Sequence, residues 1–208
     1  MDQGDIAVRR LADAVARLAE LTRGRVRAGI SHEDADGDRG TVATDDAIGF
    51  DPLPLLGALA AAGARVVVIG QVAGIMHGSA ELTGDLDLLW DGDVGQAAAL
   101  AAAFASLSAE LADDDGVPVR CEPPAFGLPK VLFHTGTASG DCCTTALSWG
   151  ELPVTDFLGR CVTATAPDGF VIRYLARDDL IRMRRAVGRP KDLRRAAELE
   201  DLGARERG

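Results

Sequence analysis

Two aspartates separated by one residue are the part of this sequence best suited to chemistry. Asp85 and Asp87 open a predicted strand over residues 85–90, and residues two apart on a strand point to the same side of a sheet. Leu86 and Leu88 are expected to face the core, which turns both carboxylates outward together. Converging carboxylates repel each other unless a cation lies between them, and Mg²⁺ readily takes such oxygen ligands. The pattern taken alone also fits ordinary solvated carboxylates.

A glycine turn precedes this pair. Gly70 lies 15 residues before Asp85, between a predicted buried strand over residues 65–69 and a predicted helix over residues 71–77. A helix N-terminus presents free N–H groups and the positive end of a dipole, which together bind phosphate. The order of the two motifs therefore predicts a site for a nucleoside triphosphate with Mg²⁺. The glycine spacing matches neither a dinucleotide-binding turn nor a P-loop.

The remaining pattern predicts an α/β (α+β) fold in which a mixed central sheet carries this site. Further strands are predicted over residues 117–122, 130–135, 141–147, 161–164 and 170–174, and helices over residues 5–21, 52–62, 94–111 and 177–187, with a last helix ending near residue 202. The predicted division is an N-terminal helix and acidic loop (1–50), a core (51–176) and basic C-terminal helices (177–208). The polar residues 32–46 predict a solvated linker.

Charge is distributed unevenly along the chain. The net charge is −10, but residues 173–208 hold 11 basic and 7 acidic residues, a net of +4 that leaves −14 on the rest. A basic lobe on an acidic body can bind phosphate or nucleic acid. The alternative is a solvated helical face whose arginines bond to the acidic body.

Other features favour structural roles. The N-terminus lacks the apolar segment of a secretory signal, and no apolar stretch is long enough to span a bilayer. We therefore expect a cytoplasmic protein without a membrane partner. The four cysteines lack zinc-site spacing and are expected to be free thiols, with Cys142 and Cys143 as small, semi-buried side chains. His77 and His134 are expected to be structural, and Trp90 and Trp149 to be packing residues.

These motifs resemble the polymerase-β-like nucleotidyltransferases. That family's pattern of a strand, a glycine at a helix start, and then HG…T-x-D-x-D-L is matched by Gly70, by residues 77–78 and by residues 83–88. Residues 179–193 are similar to the family's closing signature, DLI…K…GRPKD. The likeness is greatest to minimal nucleotidyltransferases such as the toxins of AbiE-type abortive-infection systems and the mycobacterial MenT toxins. It covers about residues 54–202.

The resemblance implies transfer of NMP from an NTP to an acceptor. It favours tRNA as that acceptor, bound through the basic C-terminal helices, and a toxin that has a cognate antitoxin. Asp85 and Asp87 would hold two Mg²⁺ ions, while the turn at Gly70 and Gln71 would cradle the phosphates. A third carboxylate on a neighbouring strand would complete the metal site. Positive charge for the phosphates or the acceptor would come from Arg184, Arg189 and Lys191.

Three positions depart from the family pattern. Gln71 follows Gly70 where glycine or serine is usual, and Gln71 could crowd the phosphates. Cys143 stands where the third aspartate is expected, and Asp141, two residues earlier on the same strand face, is the candidate that replaces it. Arg184 stands where a lysine is usual.

Two alternative functions stay open. A catalytically degenerate binding protein on the same fold would explain the departures at Gln71 and Cys143. A small-molecule, antibiotic-type nucleotidyltransferase would fit the paired aspartates equally well, but would leave the basic C-terminal helices without a purpose.

Overall fold

An eight-stranded mixed sheet runs through the described part of the chain. The structure, a computed structural model, describes residues 3–30, 41–146 and 155–207. The strands are β1 (Val66–Val68), β2 (Leu86–Trp90), β3 (Glu110–Ala112), β4 (Pro118–Val119), β5 (Lys130–His134), β6 (Ser139–Thr144), β7 (Val162–Thr165) and β8 (Val171–Tyr174). They lie in the order β4-β3-β5-β6-β2-β1-β8-β7. Neighbours are antiparallel except β2 with β6 and β1 with β8, which are parallel. The prediction of a mixed α/β sheet is confirmed.

Helices pack on both the sheet and one another. They are α1 (Gln3–Thr22), α2 (Leu53–Ala61), α3 (Gly70–Met76), α4 (Val94–Ser106), α5 (Thr155–Leu158), α6 (Arg177–Val187) and α7 (Pro190–Arg207). From α4, the Phe104 ring packs 5.4 Å from Phe126 and 5.1 Å from Phe133 between ring centroids. α1 packs on α3 and β7, and α6 lies against α3 and α7. Among the described residues, no helix combines the length and the apolar character needed to cross a bilayer.

The elements around the paired aspartates lie where the sequence predicts them. Leu86 and Leu88 are fully buried in the core, as the alternation along β2 requires. The side chain of Asp51 accepts a hydrogen bond from the Leu53 N–H at 3.0 Å and so caps the start of α2. The predicted helices over residues 5–21, 52–62 and 71–77 correspond to α1, α2 and α3.

The predicted helix over residues 94–111 is too long. α4 ends at Ser106, and Ser108 adopts a φ of 53°, which reverses the chain. Glu110–Ala112 then pair antiparallel with β5 as β3. The alanine-rich run has no glycine or proline near Ser106 to mark the end of the helix. The prediction, which relied on helical periodicity alone, therefore extended the helix to residue 111. The strand predicted over residues 117–122 is also shorter, at Pro118–Val119, while residue 147 and Trp149 lie outside the described residues.

Residues 41–46 are packed, so the prediction of a solvated linker is wrong for them. Two 3₁₀ turns, Thr41–Ala43 and Asp45–Ala47, occupy this segment, and Thr41, Thr44 and Ala47 are buried. A Cβ atom on Gly84 would lie 2.7 Å from the Ala47 Cα, so the segment rests directly on the residues that precede β2. Turns of three residues leave no periodic signal. Residues 32–40 lie outside the described residues.

Helix α1 contributes to the same hydrophobic core as the sheet. Its apolar residues recur at helical spacing, and its buried face joins one cluster with the core residues of β1 and β2. That face consists of Ala7, Val8, Leu11, Ala14 and Leu18. The division of the chain at residues 50 and 176 stays a prediction.

His77 should make the protein less stable in acid. Its Nε2 lies 2.8 Å from the Leu175 carbonyl oxygen, which only accepts, so Nε2 carries the proton of a neutral ring. Burial lowers the pKa of His77 below its usual 6.5; Arg177 lowers it further, although the Leu175 carbonyl opposes both. The unfolded chain therefore binds a proton more readily. The resulting stability is present above about pH 6.5 and is lost as the pH falls through the folded-state pKa.

We expect His77→Gln to lower the free energy of unfolding by about 1–2 kcal/mol at pH 7.5. Between pH 7.5 and pH 5, however, the free energy of unfolding should fall less for this variant than for the wild type. Urea unfolding at both pH values measures this difference. His134→Gln is the matched control, because the His134 side chain is 47% exposed. Equal acid sensitivity of the wild type and His77→Gln would contradict this explanation.

Candidate active site

Pairing between β2 and β6 brings three aspartates together. Asp87 and Asp141 are direct partners in these parallel strands, which lie about 4.8 Å apart and turn paired residues to the same side. Asp85 lies one residue before β2, on the same side as Asp87, and all three aspartates line one cavity. Asp141 thus lies next to Asp87 although it stands two residues before Cys143, which pairs with Leu89.

The glycine turn lies against the second aspartate. Gly70 begins α3 with a φ of 62°, a left-handed conformation that favours glycine. A Cβ atom at this position would lie 1.7 Å from Oδ2 of Asp87 and 2.6 Å from its Cγ. Only glycine therefore leaves room for the carboxylate, so the predicted turn and the predicted carboxylate form one unit.

The Asp87 carboxylate is electrostatically crowded. Burial raises the pKa of Asp87 well above its ordinary value, and the charges of Asp85 and Asp141 raise it further. Arg195 and Arg189 act in the opposite direction but leave the pKa raised. Like charges gathered in a partly buried place favour either a proton or a bound cation. This site is therefore suited to a cation.

Hydrogen bonds within the protein fix the Gln71 side chain at the turn, where Gln71 is among the residues that line the cavity of the aspartates. Its side chain is 2% exposed, and its Nε2 donates to Ser79 Oγ at 2.9 Å and to the Glu81 carbonyl at 2.7 Å. Its Oε1 accepts from Nη2 of Arg184 at 2.6 Å, and the same nitrogen donates to the Gly70 carbonyl at 3.1 Å. Gln71 and Arg184 therefore fix the turn together.

Arg184 connects this turn to the C-terminal helices. It is 4% exposed, and Nη1 donates to the Arg195 carbonyl of α7 at 3.0 Å. Burial, with Arg195 adding to it, lowers the pKa of Arg184 to about 10, so the group remains charged at neutral pH. The residues that depart from the family pattern at positions 71 and 184 are thus direct partners, and the Arg184 guanidinium is bonded within the protein.

We expect a double-mutant cycle to show this partnership. Arg184→Lys should destabilise the protein by about 2–4 kcal/mol, because one ammonium group cannot reproduce three fixed donor contacts. Gln71→Ala should also destabilise it, and the double variant should lose about 1–2 kcal/mol less than the sum. Urea unfolding measures each value. Arg185→Lys on the exposed side of α6 is the control and should cost less than about 1 kcal/mol; additive losses at positions 71 and 184 would refute the partnership.

Lys130 is a site residue that the sequence reasoning missed. It begins β5, pairs with Cys143 and lines the cavity of the three aspartates. Burial alone would lower the pKa of Lys130, but a hydrogen bond to Asp114 and the charge of Asp141 outweigh this and raise it. The chain has two lysines, Lys130 and Lys191, and both line this cavity. The rarity of lysine in this arginine-rich chain is the feature of the sequence that could have indicated Lys130.

The remaining predicted cationic residues lie at the mouth of the site. Arg189 lines the cavity, and its Nε donates to Oδ2 of Asp192 at 2.7 Å. Lys191 lines the same cavity. All three predicted cationic residues therefore line the cavity of the aspartates, and the Arg184 guanidinium is bonded there to the Gly70 carbonyl and to Gln71.

Thr41 and Thr83 support the first aspartate. The hydroxyl of Thr83 donates to Asp85 Oδ1, and the hydroxyls of Thr83 and Thr41 lie 2.9 Å apart. Thr41 also accepts from the Gly84 N–H at 3.2 Å. Thr41, in the segment that was expected to be a solvated linker, therefore helps to orient Asp85 through Thr83.

Two contiguous cavities open at the aspartates. The smaller, of about 310 Å³, lies between the Gly70 turn, Asp87 and α6–α7. The larger, of about 840 Å³, extends over β3, β5 and β6. They share Asp85, Lys130, Asp141 and Arg189. Asp85 and Asp141 therefore stand at the junction of two cavities.

The cysteines of β6 are neutral thiols. Burial raises the pKa of Cys142 to about 12, and burial together with Asp141 raises the pKa of Cys143 as well. A metal binds the thiolate form, so neither residue is suited to replace a carboxylate here. The prediction of free thiols is confirmed for these two residues, which are fully buried rather than semi-buried.

Arginines of the C-terminal helices are engaged with the rest of the protein. At least five of the seven basic residues between positions 182 and 195 bond to protein acceptors, namely Arg182 to Asp179, Arg184 to the Gly70 turn, Arg185 to Glu200, Arg189 to Asp192 and Arg195 to Glu81. This agrees with the alternative of a helical face bonded to the acidic body.

The residues present fit Mg²⁺ better than a closed metal site. Over the described ranges, no three His, Cys, Asp or Glu side chains stand ready to ligate a metal. Mg²⁺ does not require such a set, because it takes one or two carboxylates and completes its octahedron with water and substrate phosphates. The crowded carboxylates at Asp85 and Asp87 provide that smaller set.

Comparison with known proteins gives no assignment for this chain. Neither a scan against protein-family models nor a search of curated proteins found a match.

Proposed function

We propose that this protein is a Mg²⁺-dependent nucleotidyltransferase of the polymerase-β-like fold, which transfers NMP from an NTP to a hydroxyl group. The observation that carries the proposal is the convergence of Asp85, Asp87 and Asp141 against the Gly70 turn. The two adjoining cavities support it, since one can receive a triphosphate and the other an acceptor.

The chemistry assigns a task to each group. The acceptor oxygen forms a bond to the α-phosphorus while the bond from that phosphorus to pyrophosphate breaks, and Asp141 is positioned to take the hydroxyl proton. The N–H groups of the Gly70 turn, with Lys130 and Arg189, bind the phosphates. Bound by Asp85 and Asp87, Mg²⁺ would neutralise the charge on the attacking and leaving oxygens.

Two observations count against a catalytically degenerate site. The Gln71 side chain is 2% exposed and bonded to Arg184 and Ser79, so its amide group is satisfied within the protein. Asp141 pairs with Asp87, so a carboxylate that can take the hydroxyl proton lies beside the pair although Cys143 stands at the family's position. The family resemblance also proposes a toxin that modifies tRNA and is opposed by a cognate antitoxin, and acceptor assays test that role.

The direct test is incubation of the protein with Mg²⁺ and each α-³²P-labelled NTP, with total tRNA and small hydroxyl compounds as separate acceptors. We expect label on an acceptor with the wild type and none with Asp85→Ala/Asp87→Ala. Circular dichroism of the variant ensures that lost label is not lost folding. Transfer that survives the double substitution would refute the proposal, and a folded wild-type protein inactive with every nucleotide would favour the degenerate alternative.

A further inference from the structure

The larger cavity lies on the same face of the sheet as the three aspartates. Alternate residues of β5, namely Lys130, Leu132 and His134, line it together with Ser139 and Asp141 of β6. Leu132 pairs with Asp141, so the cavity floor continues the row that contains Asp141 and Asp87. Its volume of about 840 Å³ lies within the range typical of small-molecule sites. A molecule on this floor would lie next to the reacting carboxylates.

A fixed hydrogen-bonding group forms one wall of this cavity. Ser139 Oγ donates to Oδ1 of Asp46 at 3.0 Å and lies 2.7 Å from Nδ1 of His134. Ser139 is buried, whereas the side chains of Asp46 and His134 are 26% and 47% exposed. Asp46 and His134 are therefore held in place by the serine while they can still contact a ligand. Such preorganised polar groups are typical of sites that bind hydroxyl or amino groups.

Charge in the cavity indicates which ligand it accepts. Among the described residues, its lining includes five carboxylates, those of Asp46, Asp85, Glu110, Asp114 and Asp141, against the two cations Lys130 and Arg189. Lys130 pairs with Asp114, and Arg189 with Asp192. Even with Mg²⁺ on Asp85, the excess of acid attracts cations and repels a polyanion.

We propose that this cavity binds the acceptor, and that the acceptor is a small molecule with both ammonium and hydroxyl groups rather than RNA. The inference rests on the proposed nucleotidyl transfer, since it names the second substrate of that reaction. Ammonium groups of the acceptor would face Asp46 and Glu110. In this orientation, a hydroxyl group of the acceptor would point toward Asp141 and could attack the α-phosphorus.

The test uses neomycin, a hydroxyl-rich oligoamine, with sucrose as the neutral probe and total tRNA as the polyanion. Isothermal titration with Mg²⁺ present should show neomycin binding that weakens as salt is added and exceeds sucrose binding by at least about tenfold. Glu110→Gln should weaken neomycin binding about three- to tenfold while Mg²⁺–NTP binding stays unchanged. The matched control is Glu122→Gln, an exposed acid outside both cavities, which should change neither.

The outcomes separate this inference from the proposed function. Neomycin binding no tighter than sucrose binding, equal effects of Glu110→Gln and Glu122→Gln, or label transferred to tRNA but not to neomycin would each overturn the inference. Any of these with intact Mg²⁺–NTP binding leaves the nucleotidyltransferase proposal standing. Absence of Mg²⁺–NTP binding to the wild type would instead refute the proposed function, and the inference with it.

Discussion

Replacing Asp87 with asparagine should stabilise the protein and greatly reduce the proposed Mg²⁺-dependent transfer of NMP. Burial and the charges of Asp85 and Asp141 raise the pKa of Asp87, so its ionised form is unfavourable in the folded protein without a cation. Asparagine keeps the shape and removes the charge. We expect the melting temperature without metal to rise by about 2–4 °C, or roughly 1 kcal/mol. NMP transfer should fall by at least about 10²–10³-fold, as when one electrostatic stabiliser of a transition state is lost.

Differential scanning calorimetry with and without Mg²⁺ and NTP measures both parts of this prediction. The wild type should gain stability when both ligands are added, and Asp87→Asn should not. Asp168→Asn in the exposed turn before β8 is the control, with a change in stability within about 0.5 kcal/mol. A less stable Asp87→Asn protein that still gains stability from Mg²⁺–NTP would show that Asp87 is a structural residue.

Gly70→Ala should cause the second large loss. The new Cβ atom would lie 1.7 Å from Oδ2 of Asp87, so either the carboxylate or the turn must move. We expect NMP transfer to fall by about 10²-fold or more, since displacement of a reacting group by about 1 Å has costs of this size. Stability should also fall by about 1–3 kcal/mol, because alanine is strained at a φ of 62°. Transfer kinetics and urea unfolding measure the two effects.

Gly116→Ala is the control that distinguishes the steric clash with Asp87 from the effect of backbone strain alone. Gly116 has a φ of 76°, but a Cβ atom there would meet nothing within 4 Å. This variant should therefore lose stability to a similar degree and keep its NMP transfer within about twofold, since it changes only local backbone strain. Equal losses of transfer in the two variants would contradict the role assigned to the contact between Gly70 and Asp87.

Local patterns were sufficient to predict the strand, the glycine turn and the paired aspartates. The alternation of Leu86 and Leu88 determined which way Asp85 and Asp87 face, because that information lies within five residues. The lone glycine between a β-branched run and a helix likewise marked the turn at Gly70. Each of these features depends on residues that are close together in the chain, so hydrophobic periodicity and turn residues are enough to predict it.

Features that depend on distant contacts could not be predicted. The place of Asp141 on its strand makes it a candidate, but only the register of β2 with β6 places it, rather than Cys143, next to Asp87, and no local pattern encodes that register. Lys130 enters the site through a second long-range pairing, that of β5 with β6. Thr41 lies in a short 3₁₀ turn that acquires its role through contact with Thr83. In each case the determining neighbour is more than ten residues away.

The most direct test of the central claim is the binding of a non-hydrolysable NTP analogue, measured by isothermal titration with and without Mg²⁺. The carboxylates and the Gly70 turn are proposed to hold the triphosphate through the metal. The wild type should therefore bind the analogue with Mg²⁺ present and at least about tenfold more weakly in EDTA, whereas Asp85→Asn/Asp87→Asn should bind equally weakly in both. Binding that is unaffected by either EDTA or the double substitution would contradict a metal-dependent triphosphate site at these aspartates.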